Sequence, residues 1–318
     1  MLTIFAIPKP FASRFKTIQT NAIRSWTKLD PPPEIILLGR DKGTEDIASE
    51  LNLRHGGEVE RNKYGTPLMP SVFERGEQLA SNNLLCYVNA DIILTSDFMK
   101  LVRQMASVAR SEQFLVVGRK RIVDIQRLID FDDRGWEEVV KHESAANGIY
   151  GTYDSDFFLF QKGLYSNIPS FAIGRCFWSQ WLIYSARQKA VRVLDATHVV
   201  NCIESAHDYS HAVSTGGASR LVGAEFVANK RLFGRCKYYT TLDATEILTP
   251  QGTQRQSTRN KTLSLLVRGQ YYMYFLLKGT LYPYSLPLIL VARCLIAWTR
   301  AATSLARLFV GRRRCGPA

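Results

Sequence analysis

No Cys-x-x-Cys pair occurs among the six cysteines of this 318-residue chain (Cys86, Cys176, Cys202, Cys236, Cys294 and Cys315), so neither a zinc ribbon nor a disulfide framework is indicated. Their scatter suits a reducing cytosol. The opening Met-Leu-Thr-Ile-Phe-Ala-Ile-Pro lacks a basic leader and is too short for a signal-peptide core; it reads as a first strand, and nothing points to export. Long apolar runs are missing too. The longest uncharged stretch, Gly279 to Ala292, has 14 residues and holds Pro283 and Pro287, whereas roughly 20 apolar residues are needed to span a bilayer. After Glu246 there is no acidic residue at all, and eleven of the thirteen units of net positive charge arise beyond residue 250. The basic character therefore belongs to the tail and calls for an anionic partner there, not for a basic active face. Internal repeats and low-complexity sequence are also absent, apart from that bias.

With 46% hydrophobic residues, the chain can bury one large core or two smaller ones. Leu2 to Ile7 is a short apolar strand stopped by Pro8 and Pro10. Phe11, Phe15, Ile18, Ala22, Trp26 and Leu29 then recur at spacings of four and three, the mark of one buried helix face. Pro31 to Pro33 end that helix, and Glu34 to Gly39 is a second strand, completing a β-α-β unit. The alternation continues with helices over 44–53, 68–82 and 97–110 and strands over 84–88 and 114–118. Such alternation predicts a mainly parallel sheet with helices on both faces. The later half is less regular: an acidic pair, Asp154 and Asp156, precedes an aromatic run, a loop feeds a helix within 172–186, and Val191 to Asp195 is a strand.

Residues 84–94, Leu-Leu-Cys-Tyr-Val-Asn-Ala-Asp-Ile-Ile-Leu, form an apolar run broken only by Asn89 and Asp91. Strands apolar throughout belong to parallel sheets, whose ligands settle beyond the strands' carboxyl ends. A carboxylate there can hold a divalent cation that bridges to a diphosphate; the same residue type also caps turns.

Taken in order, several segments resemble nucleotide-sugar glycosyltransferases of the GT-A fold, close to the family 2 type. They are Ile7-Pro-Lys-Pro-Phe11, Asp41, Arg61-Asn-Lys-Tyr-Gly-Thr-Pro67, Tyr87-Val-Asn-Ala-Asp-Ile-Ile-Leu94, Ser155-Asp-Phe-Phe158, Ile173-Gly-Arg175 with Trp178, and His207-Asp-Tyr-Ser-His211. The resemblance spans about residues 2 to 215 and implies a GT-A type α/β fold. It implies a domain over 1–250 with a nucleotide-binding half (1–118) and an acceptor half (119–250), followed by a basic tail over 251–318. It also assigns the nucleotide to Pro8, Lys9, Asp41, Arg61, Lys63 and Asn89, and Mn²⁺ or Mg²⁺ to Asp91 with His207 or His211. Asp156, with Asp154 behind it, is the candidate for the base or for acceptor contact, and Arg175 and Trp178 are candidates for acceptor binding. Two departures from the family pattern stand out. Asn89 replaces the first acid of an Asp-x-Asp motif and brings no charge, and Ser179 follows Trp178 where relatives carry an acid. Those departures leave open a non-catalytic relative that binds nucleotide sugars or acts as a membrane scaffold. A nucleotidyltransferase of the same fold type fits less well, because the loop after the first strand has no glycine.

In the tail, Arg293, Arg300, Arg307 and Arg314 fall at intervals of seven, while Val291, Leu295, Trp298, Ala302, Leu305 and Phe309 step along the opposite side. This pattern predicts a basic amphipathic helix that lies on an anionic membrane surface or packs against protein. Tyr271, Tyr272, Tyr274, Tyr282 and Tyr284 suit a membrane interface. The expected protein is thus a metal-dependent glycosyltransferase at the cytoplasmic face of a membrane, peripheral to it, acting in cell-surface polysaccharide or glycolipid synthesis. It would take a nucleotide-sugar donor and a glycan or lipid-linked acceptor. Nucleic acid is not expected, since the apolar face opposite the arginines does not need it.

Overall fold

The computed structural model describes residues 1–109, 112–207 and 223–280, with side chains to residue 274. The chain divides into two compact units, Met1–Ser257 and Thr258–Ala318.

The first unit is an α/β assembly on a nine-stranded sheet. Its start follows the sequence pattern closely: β1 (Leu2–Ala6), α1 (Ser13–Thr27), β2 (Glu34–Leu37), α2 (Thr44–Glu50), β3 (Arg54–His55), α3 (Met69–Leu79) and β4 (Leu84–Val88). β5 (Ile92–Leu94), α4 (Ser96–Val108), β6 (Phe114–Val117), β7 (Lys120–Val123), α5 (Trp136–Asn147) and β8 (Ile149–Tyr150) come next. β9 (Phe157–Gln161), α6 (Trp178–Gln188), β10 (Arg192–Asp195), β11 (Cys202–Ser205), α7 (Ala224–Phe233), β12 (Glu246–Thr249) and β13 (Gly252–Arg255) complete the unit. Across the sheet the order is β13-β12-β10-β6-β9-β4-β1-β2-β3. β3, β2, β1 and β4 run parallel, as do β6, β10 and β12, whereas β9 is antiparallel to both β4 and β6.

Helices cover both faces, and the period-two alternation of β1 shows why. Leu2, Ile4 and Ala6 join Ala22, Ile23 and Trp26 of α1 and Leu101, Val102 and Met105 of α4 in one buried cluster. Phe5 turns the other way and meets Phe73 of α3 with ring centroids 5.4 Å apart. Gly76 permits that approach, because a Cβ there would lie 2.5 Å from the Phe5 ring. On the same face the Trp178 ring of α6 lies 5.7 Å from both Tyr87 and Phe158.

A second sheet of four strands, ordered β5-β11-β7-β8, leans on the first. β11 pairs antiparallel with β5 (Glu204 opposite Ile92) and parallel with β7 (Cys202 opposite Lys120). This seam positions the site.

β9, β10, β12 and β13 extend the same sheet that β1, β2 and β4 begin, so the stretches before and after residue 118 share one sheet. Residue 250 falls inside the β12–β13 hairpin, which hydrogen bonds to β10 and carries the first unit on to Ser257.

Taken by itself, the second unit shows α8 (Thr258–Thr280). The arginine stripe at 293–314 and His211 lie outside the described residues. Among the described residues, no helix is long and apolar enough to cross a membrane. Cys86 and Cys202 are buried free thiols.

Candidate functional site

The parallel strands end on one side of the sheet, and the antiparallel β9 begins there. Val88 pairs with Phe157, so the next residue of β4 and the preceding residue of β9 meet: Asn89 N–H donates to the Asp156 carbonyl at 2.9 Å. A turn closed by Ile92 N–H on the Asn89 carbonyl (3.1 Å) then swings the chain into the second sheet, leaving Asp91 at the junction. β11 brings Glu204 to the same place, and β7 brings Lys120.

The result is a buried ionic cluster. Lys9 Nζ lies 3.2 Å from Asp91 Oδ2. Lys120 Nζ lies 2.8 Å from Glu204 Oε1 and 3.1 Å from Asp156 Oδ2. Ligand atoms of Asp91, Glu204 and His207 converge within 4.8 Å of one another. Asp91 Oδ1 is buried and accepts no hydrogen bond among the described residues, an arrangement that costs free energy unless a ligand completes it. Two carboxylates and an imidazole with a spare buried oxygen form an N/O donor set that fits Mn²⁺ or Mg²⁺.

The electrostatics agree. Burial would raise the Asp91 pKa, but Lys9, Lys120 and His207 together hold it down at about 2. Glu204 moves the other way: burial raises it, Asp91 and Asp156 add to the rise, and Lys120 opposes them. Burial also lowers the His207 pKa against the pull of Asp91, which favours the neutral imidazole that a metal ligand must present. The His207 ring is seated against Phe15 at 5.2 Å, and its Nδ1 is 3.1 Å from the Ser205 carbonyl.

Around this centre the remaining candidates take definite places. Pro8 is buried at the end of β1. Lys9 is clamped through its backbone by Gln19 of α1, whose Oε1 accepts from Lys9 N–H (2.7 Å) and whose Nε2 donates to the Lys9 carbonyl (2.8 Å). Asp41 and Arg61 are brought together, with Nη2 to Oδ2 at 2.6 Å, and Arg61 also reaches Glu58 and the Gly65 carbonyl. Lys63 stands over the ring of Tyr64. Asp154 is fully engaged, accepting from Thr152 Oγ1 (2.7 Å) and Gln180 Nε2 (2.5 Å), so its oxygens hold the loop in place. Asn89 Nδ2 donates to Asp156 Oδ1 at 2.7 Å.

Arg175 and Trp178 are both buried. Arg175 is 8% exposed and its guanidinium grips Glu225 of α7 through Nε (3.0 Å) and Nη2 (2.5 Å). Trp178 is 6% exposed and packs on the sheet. An arginine beside aromatics packs for structure as readily as it binds phosphate, and here its guanidinium pairs with the carboxylate of Glu225.

Lys120, Glu204 and Gln19 escaped the sequence reading. Glu204 carried the same signal as Asp91, a carboxylate inside an apolar run (Val-Val-Asn-Cys-Ile-Glu-Ser). Lys120 follows the apolar strand 114–117, just as Asp91 follows β4.

No family model and no curated protein matches the chain. Solved structures similar to it include S. aureus TarS 1–349 in complex with UDP-GlcNAc, at 12% identity and a TM-score of 0.49, covering 92% of this chain and 79% of that one. Another is the mannosyltransferase PcManGT from Pyrobaculum calidifontis in complex with GDP-Man and Mn²⁺, at 13% identity and a TM-score of 0.43, covering 96% and 80%. A third is glucosyl-3-phosphoglycerate synthase from Mycobacterium tuberculosis in complex with Mn²⁺, UDP and phosphoglyceric acid, at 15% identity and a TM-score of 0.42, covering 74% and 78%.

Proposed function

We propose that this protein is a metal-dependent glycosyltransferase that moves a sugar from a nucleotide-diphosphate donor to a glycan or lipid-linked acceptor. The observation that carries the reading is the convergence of Asp91, Glu204 and His207 at the carboxyl ends of a parallel sheet, with Asp91 Oδ1 buried and accepting no hydrogen bond from the described residues. A diphosphate brought beside these carboxylates needs a cation between them. Bound there, Mn²⁺ or Mg²⁺ would stabilise the charge that develops on the departing diphosphate. The loop of Pro8 and Lys9 and the Asp41–Arg61 pair serve the nucleotide end. Lys9, 34% exposed at its side chain, is able to turn from Asp91 to a phosphate oxygen.

Asp156 is the acceptor-side carboxylate. Asn89 and Lys120 fix its orientation, as positioning an acceptor hydroxyl requires. The same two contacts favour a second reading, binding of a nucleotide sugar without transfer, because a carboxylate already paired with an ammonium is a weaker base. The basic tail attaches the protein peripherally to an anionic cytoplasmic membrane surface, where a lipid-linked acceptor for polysaccharide or glycolipid synthesis would lie.

A thermal-shift screen of the full chain with UDP, GDP, CDP and dTDP, each with and without Mn²⁺, tests the reading. One diphosphate is expected to stabilise the protein only when metal is present, by about 2.7 kcal/mol at a hundredfold excess over Kd, and Asp91→Asn should abolish the effect. Indifference to all four, with or without metal, would overturn both readings. Stabilisation with no turnover across donor and acceptor panels would favour the second.

A further inference from the structure

Lys120 opens β7 and is 9% exposed. Its ammonium spans two carboxylates of the cluster, Glu204 Oε1 at 2.8 Å and Asp156 Oδ2 at 3.1 Å. A buried ammonium persists only where anions compensate it, and a buried carboxylate likewise needs a cation. Yet Glu204 is also one of the three groups that converge with Asp91 and His207. One carboxylate is thus open to two cations.

We propose that Lys120 is the resident counter-ion of the cluster and competes directly with the divalent cation for Glu204. This inference rests on the metal site proposed above. Without metal, two ammoniums, Lys9 and Lys120, offset part of the charge of Asp91, Asp156 and Glu204. A divalent ion that takes Glu204 must displace Lys120, which keeps Asp156 as its partner and gains a free donor facing the incoming diphosphate. The bare site is therefore weak for metal, and a diphosphate strengthens it by giving the released ammonium a new anion. Lys9 does not impose the same barrier: its side chain is 34% exposed against 11% for Lys120, so it yields Asp91 to solvent at little cost.

The test is Mn²⁺ affinity of the full chain without nucleotide, read by calorimetry or by the electron paramagnetic resonance of free Mn²⁺. Lys120→Met, similar in length and uncharged, is expected to bind Mn²⁺ at least tenfold more tightly than the wild type, with a smaller gain for Lys9→Met. Unchanged or weaker binding by Lys120→Met, or a larger gain from Lys9→Met, would overturn the proposal. If Lys120→Met does not fold, Lys120→Met combined with Asp156→Asn removes one carboxylate along with the ammonium while leaving Glu204 open; the same tightening is expected, and its absence counts against the proposal equally. Mn²⁺ binding that Asp91→Asn abolishes but Lys120→Met leaves unmoved sinks this inference alone. No binding by wild type or any variant sinks the metal site with it.

Discussion

Asn89 Nδ2 donates to Asp156 Oδ1 across 2.7 Å, tying the end of one strand to the start of its antiparallel neighbour. The Asn89 Oδ1 accepts in turn from the Tyr87 hydroxyl at 3.2 Å. Burial, and after it the charges of Asp91 and Asp156, push the Tyr87 pKa far above its usual range, so the phenol remains a donor. Protons therefore point one way along the chain, from Tyr87 to Asn89 to Asp156, and Lys120 meets the other Asp156 oxygen. An amide at position 89, where an acid was the family expectation, is what this carboxylate requires of its neighbour.

Asn89→Asp should accordingly harm the protein even though it restores an Asp-x-Asp sequence. The new carboxylate would face Asp156 at hydrogen-bonding distance with no proton between them. A loss of about 1–3 kcal/mol in urea unfolding is expected, with transfer reduced by about tenfold or more. Adding Asp156→Asn to Asn89→Asp reverses the donor and acceptor, so the double variant should recover most of the stability, a coupling that a double-mutant cycle isolates. Equal stability of Asn89→Asp and wild type would refute the contact.

Glu225 predicts how stability depends on pH. Burial alone would raise its pKa, but hydrogen bonds from Asn62 and Thr66 and the Arg175 guanidinium more than offset it and leave it lowered. A carboxyl whose folded value lies below its unfolded one contributes stability that is fully present above the unfolded value, 4.5 for an ordinary Glu, and is lost as pH falls through the lowered folded value. Glu225→Gln should therefore be less stable than wild type at pH 7, and the gap should close on acidification towards pH 3. Chemical melts at several pH values measure it; a gap that stays constant would show that the ionised form of Glu225 contributes nothing.

Much of this architecture was legible in the residues themselves. Spacings of three and four set α1 and α4, prolines ended α1, and an unbroken apolar run announced β4. Asp91 was legible because a carboxylate in an apolar run is costly without a purpose. The direction of β9 was not, since Phe-Phe-Leu-Phe reads the same whichever way the strand runs. Nor were the partners of Asp91. Lys120 and Glu204 lie 29 and 113 residues further along the chain, and only the pairing of β5 with β11 and of β11 with β7 brings them together. Arg175 and Trp178 had the composition of binding residues, and their packing partners were not legible: Arg175 pairs with Glu225 and Trp178 packs on Tyr87 and Phe158.

For Trp178 that packing can be separated from contact with a substrate. Its ring packs against both Tyr87 and Phe158 and is almost wholly enclosed, so Trp178→Ala should cost about 3–5 kcal/mol, and Trp178→Phe clearly less. Because the ring is buried, Trp178→Phe should leave the acceptor KM unchanged while lowering the melting temperature. A rise in acceptor KM without a loss of stability would return Trp178 to the acceptor site.

Membrane attachment gives the last prediction. Beyond residue 280 the chain holds six arginines and no acid, four of the arginines in a stride of seven, and each basic residue near an anionic surface contributes about 1 kcal/mol. The full chain should float with vesicles containing phosphatidylglycerol and much less with phosphatidylcholine alone. Removing residues 281–318 should leave it in the dense fraction, while the diphosphate-dependent thermal stabilisation proposed for the first unit should persist. High salt should weaken flotation without abolishing it, because screening removes the arginine attraction and leaves the apolar residues Leu295, Trp298, Leu305 and Phe309 to bind. Complete release by salt would mean that charge alone holds the tail, and flotation by the truncated chain would place the attachment elsewhere.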